Sequence, residues 1–109
     1  MYQNHKSYTL DEALLKLQRY CVYQDRCHKE VEQKLKNMRM IPEAIDHIIV
    51  ALISDNYLNE ERFAKAFVRG KFSIKKWGKV RLTQELKQRQ LSKYTIKIAL
   101  KEIDPNDYL

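Results

Sequence analysis

The sequence repeats itself at about half its length, and this repeat limits the possible fold more than any other feature. A shift of 51 positions lays the segment beginning at Gln33 on the segment beginning at Gln84, and it lays Ile45 on Ile96. Self-similarity at such a period is typical of arrays in which each helical unit buries its open face against a neighbour. We therefore predict two similar units in tandem, forming an elongated, curved body with long exposed sides.

The starts of the two units match better at a different spacing. A shift of 48 positions lays Leu10 on Leu58 and Leu15 on Phe63. The change of spacing predicts about three extra residues before Trp77 in the second unit. It would place the residues before Trp77 on an extended first helix and its turn.

Helix is the expected state almost throughout, because the 109 residues include only two glycines and two prolines and are rich in good helix formers. Apolar residues recur at intervals of three and four, which indicates helices with one buried face. The predicted helices cover about residues 10–23, 28–38, 42–53, 59–75, 79–89 and 93–103. The predicted fold class is thus all-α, with three helices in each repeat.

Several helix starts have recognisable capping residues. Thr9 and Glu12 have the spacing of a capping box, in which each side chain accepts a hydrogen bond from the other residue's backbone N–H. Asn59 and Ser92 are suited to N-cap positions, and Pro42 is suited to a first helical turn, where its missing N–H has no partner.

These helices predict a domain organisation. Residues 1–8 show no helical stripe and are expected to form a flexible tail, residues 9–57 the first three-helix repeat, and residues 58–105 the second. Asp104 and Pro105 are expected to end the last helix. Residues 106–109 would begin a third repeat that is missing or truncated, because Tyr108-Leu109 correspond to Tyr57-Leu58.

The net charge of +7 lies entirely in the second half of the chain. Residues 1–57 hold eight Lys or Arg and eight Asp or Glu, whereas residues 58–109 hold thirteen and six. The run from Arg69 to Arg81 has no acidic residue and includes Phe72 and Trp77. Such a block indicates a polyanionic partner, either nucleic acid or an acidic protein surface.

The cations of this run have too few neighbouring acids in sequence to be explained by internal pairing, whereas Arg62 can pair with an adjacent acid. Phe72 and Trp77 could stack on bases, but we favour packing between the first two helices of their unit. The candidate contact residues are Arg62, Arg69, Lys71, Lys75, Lys76, Lys79 and Arg81.

Catalytic and metal-binding patterns are missing from the sequence, so we do not expect an enzyme. There is no Gly-rich phosphate loop, Ser/His/Asp arrangement or H-E-x-x-H motif. Cys21 and Cys27 are expected to be reduced, partly buried thiols, and His28 beside Cys27 lacks the paired spacing of a zinc site. We expect no cofactor and no metal.

No apolar run is long enough to span a membrane, and the first residues do not resemble a secretory signal. We therefore expect a cytoplasmic protein without membrane contact. We also expect it to be a monomer.

Two segments carry a family resemblance. The run Asn59-Glu60-Glu61-Arg62-Phe63-Ala64, followed by Trp77-Gly78-Lys79-Val80-Arg81-Leu82 and Glu85-Leu86, resembles the signature of the bacterial RecX family. Residues 26–35 resemble the corresponding segment of the first repeat, although Cys27 and Val31 replace the usual Ser and Leu. The signature positions expected to be structural are Phe63, Ala64, Trp77, Gly78, Leu82 and Leu86.

The resemblance implies a non-enzymatic regulator of the RecA recombinase, built from three-helix repeats. It implies binding in the helical groove of the RecA–DNA filament, with limited ATPase and strand-exchange activity as the result. The implied partners are RecA and, weakly, the DNA phosphate backbone. Members usually have three repeats, whereas this chain has two and the beginning of another.

The alternative function is a free-standing helical nucleic-acid-binding module of the helix-turn-helix kind. It would place Arg and polar side chains on one recognition helix, but Lys93, Lys97 and Lys101 are point charges suited to phosphate contact rather than base readout.

Overall fold

The computed structural model describes residues 7–103, and the regular structure in that range is helical. A short 3₁₀ turn, Lys101–Ile103, follows the last α-helix. The all-α prediction is confirmed, with helix boundaries close to those expected. The helices are α1 (Leu10–Tyr23), α2 (His28–Asn37), α3 (Pro42–Ser54), α4 (Glu60–Lys75), α5 (Lys79–Gln88) and α6 (Lys93–Leu100).

The predicted caps form at the helix starts. The Thr9 N–H donates to Glu12 Oε1 at 3.0 Å, and the Glu12 N–H donates to Thr9 Oγ1 at 3.1 Å. The side chains of Asn59 and Ser92 likewise accept hydrogen bonds at the starts of α4 and α6, and Pro42 occupies the first turn of α3. Each cap satisfies a backbone donor that the helix itself leaves without a partner.

The chain divides into two compact units, Met1–Leu58 and Asn59–Leu109. In the first unit α3 packs against both α1 and α2, and Leu17, Leu35 and Leu52 are fully buried. Burying each leucine contributes about 1.5–3 kcal/mol relative to leaving it exposed. Leu58 is also buried in this core, so the first unit extends one residue past the expected boundary.

One expectation for the first unit needs correction. Tyr8, assigned to a flexible tail, packs against the core of the unit, while residues 1–6 lie outside the described range. In α3, the apolar residue Ile53 keeps 44% of its surface exposed. The buried stripe of α3 is narrower than the apolar pattern suggested, because only Ile45, Ile48 and Leu52 turn fully inward.

In the second unit α6 packs against α4 and α5, and the 3₁₀ turn packs against α4. The last helix was predicted to reach residue 103. Its α-helical part ends at Leu100, and the chain continues as the 3₁₀ turn. The expected stop at residues 104–105 and the expected third-repeat start at 106–109 lie outside the described residues. The buried side chains of the unit are Phe63, Ala64, Val68, Leu82, Leu86, Leu91, Ile96, Ala99 and Ile103.

One shift of 51 positions relates the buried residues of the two units from the first helix to the last. The predicted shift of 48 at the unit starts is wrong, because the buried residues of α1 and α4 pair at 51. That prediction relied on Leu10 and Leu15, which are 39% and 47% exposed and so do not fix helix register. The first helix of the second unit is nevertheless longer, as expected, with 16 residues in α4 and 14 in α1. The matching buried pairs include Ala13 and Ala64, Leu17 and Val68, Val31 and Leu82, Leu35 and Leu86, and Ile45 and Ile96.

The turn after the second helix is the same in both units. Arg39 and Gln90 both adopt the left-handed backbone conformation, with φ of 63° and 64°. Met40 N–H then donates to the Leu35 carbonyl at 3.1 Å, and Leu91 N–H donates to the Leu86 carbonyl at 3.3 Å. These bonds satisfy carbonyls at the helix end, so the repeat extends to individual backbone contacts.

Candidate functional site

The basic run forms the end of α4, the turn that follows, and the start of α5. Lys75 is the last residue of α4, Lys76 is its C-cap, and Lys79 is the first residue of α5; all three are exposed. Lys76 takes the left-handed conformation, with φ of 61°, and this reverses the chain. Its N–H and that of Trp77 both donate to the Lys71 carbonyl.

Arg69 lies apart from these lysines, in an ion pair. Its Nη1 is 2.9 Å from Glu102 Oε1 on the 3₁₀ turn. The expectation that too few acids are available for internal pairing is therefore wrong for Arg69, because its partner is distant in sequence. The pair links α4 to the end of the unit and offsets the charge of Arg69.

Arg81 is also engaged internally. Its Nε lies 3.7 Å from Glu85 Oε2, and its guanidinium carbon lies 4.0 Å from the centre of the Trp77 ring. Glu85 accepts a second contact from Arg89 Nη1 at 3.0 Å. The expectation of too few nearby acids is wrong for Arg81 as well, since one helical turn brings Glu85 alongside it.

Trp77 packs rather than standing free, as we favoured from the sequence. It is half-buried, and its ring centre is 6.2 Å from that of Phe67, which is 5.7 Å from that of Phe63. Lys71 Nζ lies 5.2 Å from the Trp77 ring centre. Phe72 differs from the packing expectation, because it remains 46% exposed.

Arg62 lies at the opposite end of α4 from the turn. Its backbone N–H donates to Asn59 Oδ1 at 2.9 Å, and its side chain is half-buried. At 1.5 Å per residue, Lys75 is roughly 20 Å further along the helix axis. The structure therefore does not place Arg62 with the cations of the α4–α5 turn.

A small cleft adds two lysines that the candidate set did not include. Lys79, Lys97, Leu100 and Lys101 line this lysine cleft, whose volume is about 200 Å³. Lys97 and Lys101 are four residues apart, so the sequence alone indicates that they share one helix face. Only the packing of α6 against α5 brings them to Lys79.

The start of α5 strengthens the positive potential at the lysine cleft. The first turn of α5 has no acidic residue, and its N-cap is Gly78, which has no side chain to cap the helix. The partial positive charge of a helix N-terminus is therefore not offset there, and an anion is favoured at this position.

Beside these cations lie exposed apolar side chains. Ile74 is 78% exposed and Val80 is 74% exposed, one on each side of the turn. We call the exposed surface formed by Ile74, Lys75, Lys76, Lys79 and Val80 the turn surface.

The sequence and structural comparisons point to one family. The family model described as RecX, second three-helix domain, matches residues 59–100, which include all of α4, α5 and α6. Regulatory protein RecX of Lactobacillus johnsonii is 31% identical over 90 residues, covering 83% of this chain and 33% of that protein. Regulatory protein RecX of Halalkalibacterium halodurans is 30% identical over 100 residues, covering 92% of this chain and 36% of that protein. The chain belongs to the RecX family.

The fold agrees with this membership. A crystal structure of regulatory protein RecX matches with a TM-score of 0.81 at 23% sequence identity, covering 89% of this chain and 48% of that one. The chain spans about a third of the length of the curated RecX relatives it matches.

The RecX signature lies mainly in the core of the second unit. Phe63, Ala64, Leu82 and Leu86 are buried, and Trp77 is half-buried. Gly78 is exposed, and a Cβ added to it would meet no atom within 4 Å. Most of the signature residues therefore pack in the core of the unit. The exposed positive charge lies instead on the turn surface and in the lysine cleft.

The described part of the chain contains neither a metal site nor a helix that could span a membrane. Across residues 7–103, no three His, Cys, Asp or Glu residues converge in a way that could hold a metal ion. In that range no helix is both long enough and apolar enough to cross a bilayer. Cys21 and Cys27 are unbridged thiols, and both are buried rather than partly buried as the sequence predicted.

Proposed function

We propose that this RecX-family chain is a regulatory protein that binds in the groove of the RecA–DNA filament. There it limits ATP hydrolysis and strand exchange by RecA, without chemistry of its own. The observation that supports this most is the turn surface beside the lysine cleft. It presents exposed cations on a unit in which cations outnumber acids by seven.

The mixed character of the turn surface favours a partner that offers both protein and phosphate. In residues 7–103 neither Lys75 nor Lys76 forms an ion pair, so neither charge is offset locally. Complementary charge accelerates and orients association, while apolar contacts such as those of Ile74 and Val80 add burial. The groove of a protein–DNA filament would offer protein surface and DNA phosphate together.

The test reverses the charge of the exposed lysines. The triple variant Lys75→Glu/Lys76→Glu/Lys79→Glu is expected to weaken both co-sedimentation with RecA filaments and inhibition of RecA ATPase by about tenfold or more. Circular dichroism should show an intact fold, because the three side chains are exposed.

The control makes the same change in charge elsewhere. Lys29→Glu/Lys87→Glu/Lys93→Glu alters three exposed lysines outside the turn surface, and it should inhibit RecA nearly as well as the unchanged protein. Equal inhibition by the two triple variants would count against the proposal.

The second candidate function is a nucleic-acid-binding module of the helix-turn-helix kind. The lysine cleft favours it, because three lysines beside a helix N-terminus suit a phosphate group. Binding to DNA duplexes of several sequences should be measured by fluorescence anisotropy at 50 and 200 mM salt. A clear sequence preference would favour this candidate. Weak binding without preference, with a steep salt dependence, would leave the filament proposal ahead.

A further inference from the structure

The first unit contains a groove that shares no residue with the turn surface or the lysine cleft. Its volume is about 450 Å³, and it runs along α1 with one residue from α2. Ligand sites commonly have volumes of about 300–1,000 Å³. The groove is lined by Tyr8, Glu12, Leu15, Lys16, Arg19, Tyr20 and Lys34.

The repeat explains why this groove is open. At the 51-residue shift, Glu12 and Lys16 correspond to Phe63 and Phe67 of the second unit. Those two phenylalanine rings pack together with their centres 5.7 Å apart. A carboxylate and an ammonium cannot pack in this way, because burying them without partners is costly. The first unit therefore has charged walls where the second has packed rings.

The groove has a net positive charge, and most of its cations form no ion pair within residues 7–103. Within residues 7–103, neither Lys16 nor Arg19 forms an ion pair or a hydrogen bond through its side chain. Glu12, the acid in the lining, already accepts the Thr9 N–H at 3.0 Å. Lys34 Nζ lies 5.2 Å from the centre of the Tyr20 ring, so its charge stays beside the groove.

The nature of the anion follows from what surrounds these cations. Residues 1–57 have no net charge, so the first unit lacks the basic track that a long phosphate backbone needs. Tyr20 already has the Arg26 guanidinium carbon 3.7 Å from its ring centre, so at least one face is taken and base stacking is disfavoured. Leu15 is 47% exposed at the groove and offers an apolar contact that phosphate cannot use.

We propose that this groove binds a short acidic peptide segment of a protein partner, with carboxylates on Lys16, Arg19 and Lys34 and an apolar side chain against Leu15. The planar guanidinium of Arg19 suits a carboxylate because it donates two parallel hydrogen bonds. The site lies in the first unit and is separate from the turn surface and the lysine cleft.

The probe is a fluorescein-labelled peptide of about eight residues, made of aspartate and glutamate with one central leucine. Binding is measured by anisotropy, and the groove is located by ¹⁵N chemical-shift changes in the full chain. Lys16→Glu/Arg19→Glu should weaken peptide binding by about tenfold or more, since two attractive pairs become repulsive. A peptide with alanine in place of leucine should bind more weakly to the unchanged protein.

A control distinguishes this site from its alternatives. Lys29→Glu/Lys36→Glu makes the same charge change on exposed residues of α2 outside the groove, and it should bind the peptide nearly normally. The proposal is overturned if the peptide does not shift groove resonances, or if this control weakens binding as much as the groove variant does. It is also overturned if a short oligothymidylate binds the groove more tightly than the peptide does.

Discussion

Arg26 lies over the ring of Tyr20, with its guanidinium carbon 3.7 Å from the ring centre, and its Nε donates to the Tyr20 carbonyl at 3.0 Å. At the 51-residue shift the corresponding residues are Trp77 and Lys71. Lys71 Nζ lies 5.2 Å from the Trp77 ring centre. The second unit therefore keeps a cation–π contact at this place but exchanges the positions of the cation and the ring.

The first prediction concerns this contact. Arg26→Gln should lower the free energy of unfolding by about 1–2 kcal/mol, because it removes the charge from the Tyr20 ring and the hydrogen bond to the Tyr20 carbonyl. Urea denaturation would measure the change. Lys36→Gln is a suitable control, since its ion pair with Glu32 is long and exposed and should contribute less than about 0.5 kcal/mol. Equal midpoints for the two variants would mean that the contact does not stabilise the turn.

The second prediction concerns the ion pair between Arg69 and Glu102. Their side chains are 56% and 29% exposed, so water and salt screen the pair and its net contribution should be about 0.2–1 kcal/mol. A double-mutant cycle of Arg69→Ala and Glu102→Ala would measure the coupling energy. The coupling should decrease between 50 mM and 500 mM salt; a coupling above about 2 kcal/mol that salt does not change would contradict this description.

The third prediction separates the charge of Lys76 from its backbone conformation. Lys76 has a φ of 61°, which glycine adopts more readily, so Lys76→Gly should stabilise the fold by about 0.5–1 kcal/mol. Gln90→Gly is the matched control, because Gln90 has a φ of 64° and carries no charge. Thermal denaturation should show both variants to be more stable. If the proposed function holds, co-sedimentation with RecA filaments should weaken only for Lys76→Gly. If the two variants bind alike, the charge of Lys76 does not contribute.

Local sequence signals predicted the helices well because each depends on neighbours in the chain. Thr9 and Glu12 specify a cap within one turn, and apolar spacing specifies which face is buried. The pair of Arg69 with Glu102 spans 33 positions, and no local pattern identifies it. The lysine cleft likewise depends on how α6 packs on α5. The repeat shift was misjudged because Leu10 and Leu15 are partly exposed, so packing does not constrain their identity.

The last prediction concerns the phenol of Tyr20. Burial raises the pKa of Tyr20 above its ordinary value, and the nearby Arg26 charge opposes this only in part. Because the folded protein holds the phenol proton more tightly than the unfolded chain does, Tyr20 contributes stability that is complete below the unfolded pKa, near 10. That contribution is lost as the pH rises through the folded pKa. Phenolate absorbance near 295 nm, measured for the unchanged protein and for Tyr20→Phe, gives the titration of Tyr20 by difference. The difference curve should have its midpoint above pH 10, and Arg26→Gln should raise it further because the opposing charge is gone; a midpoint at or below 10 would contradict the buried environment.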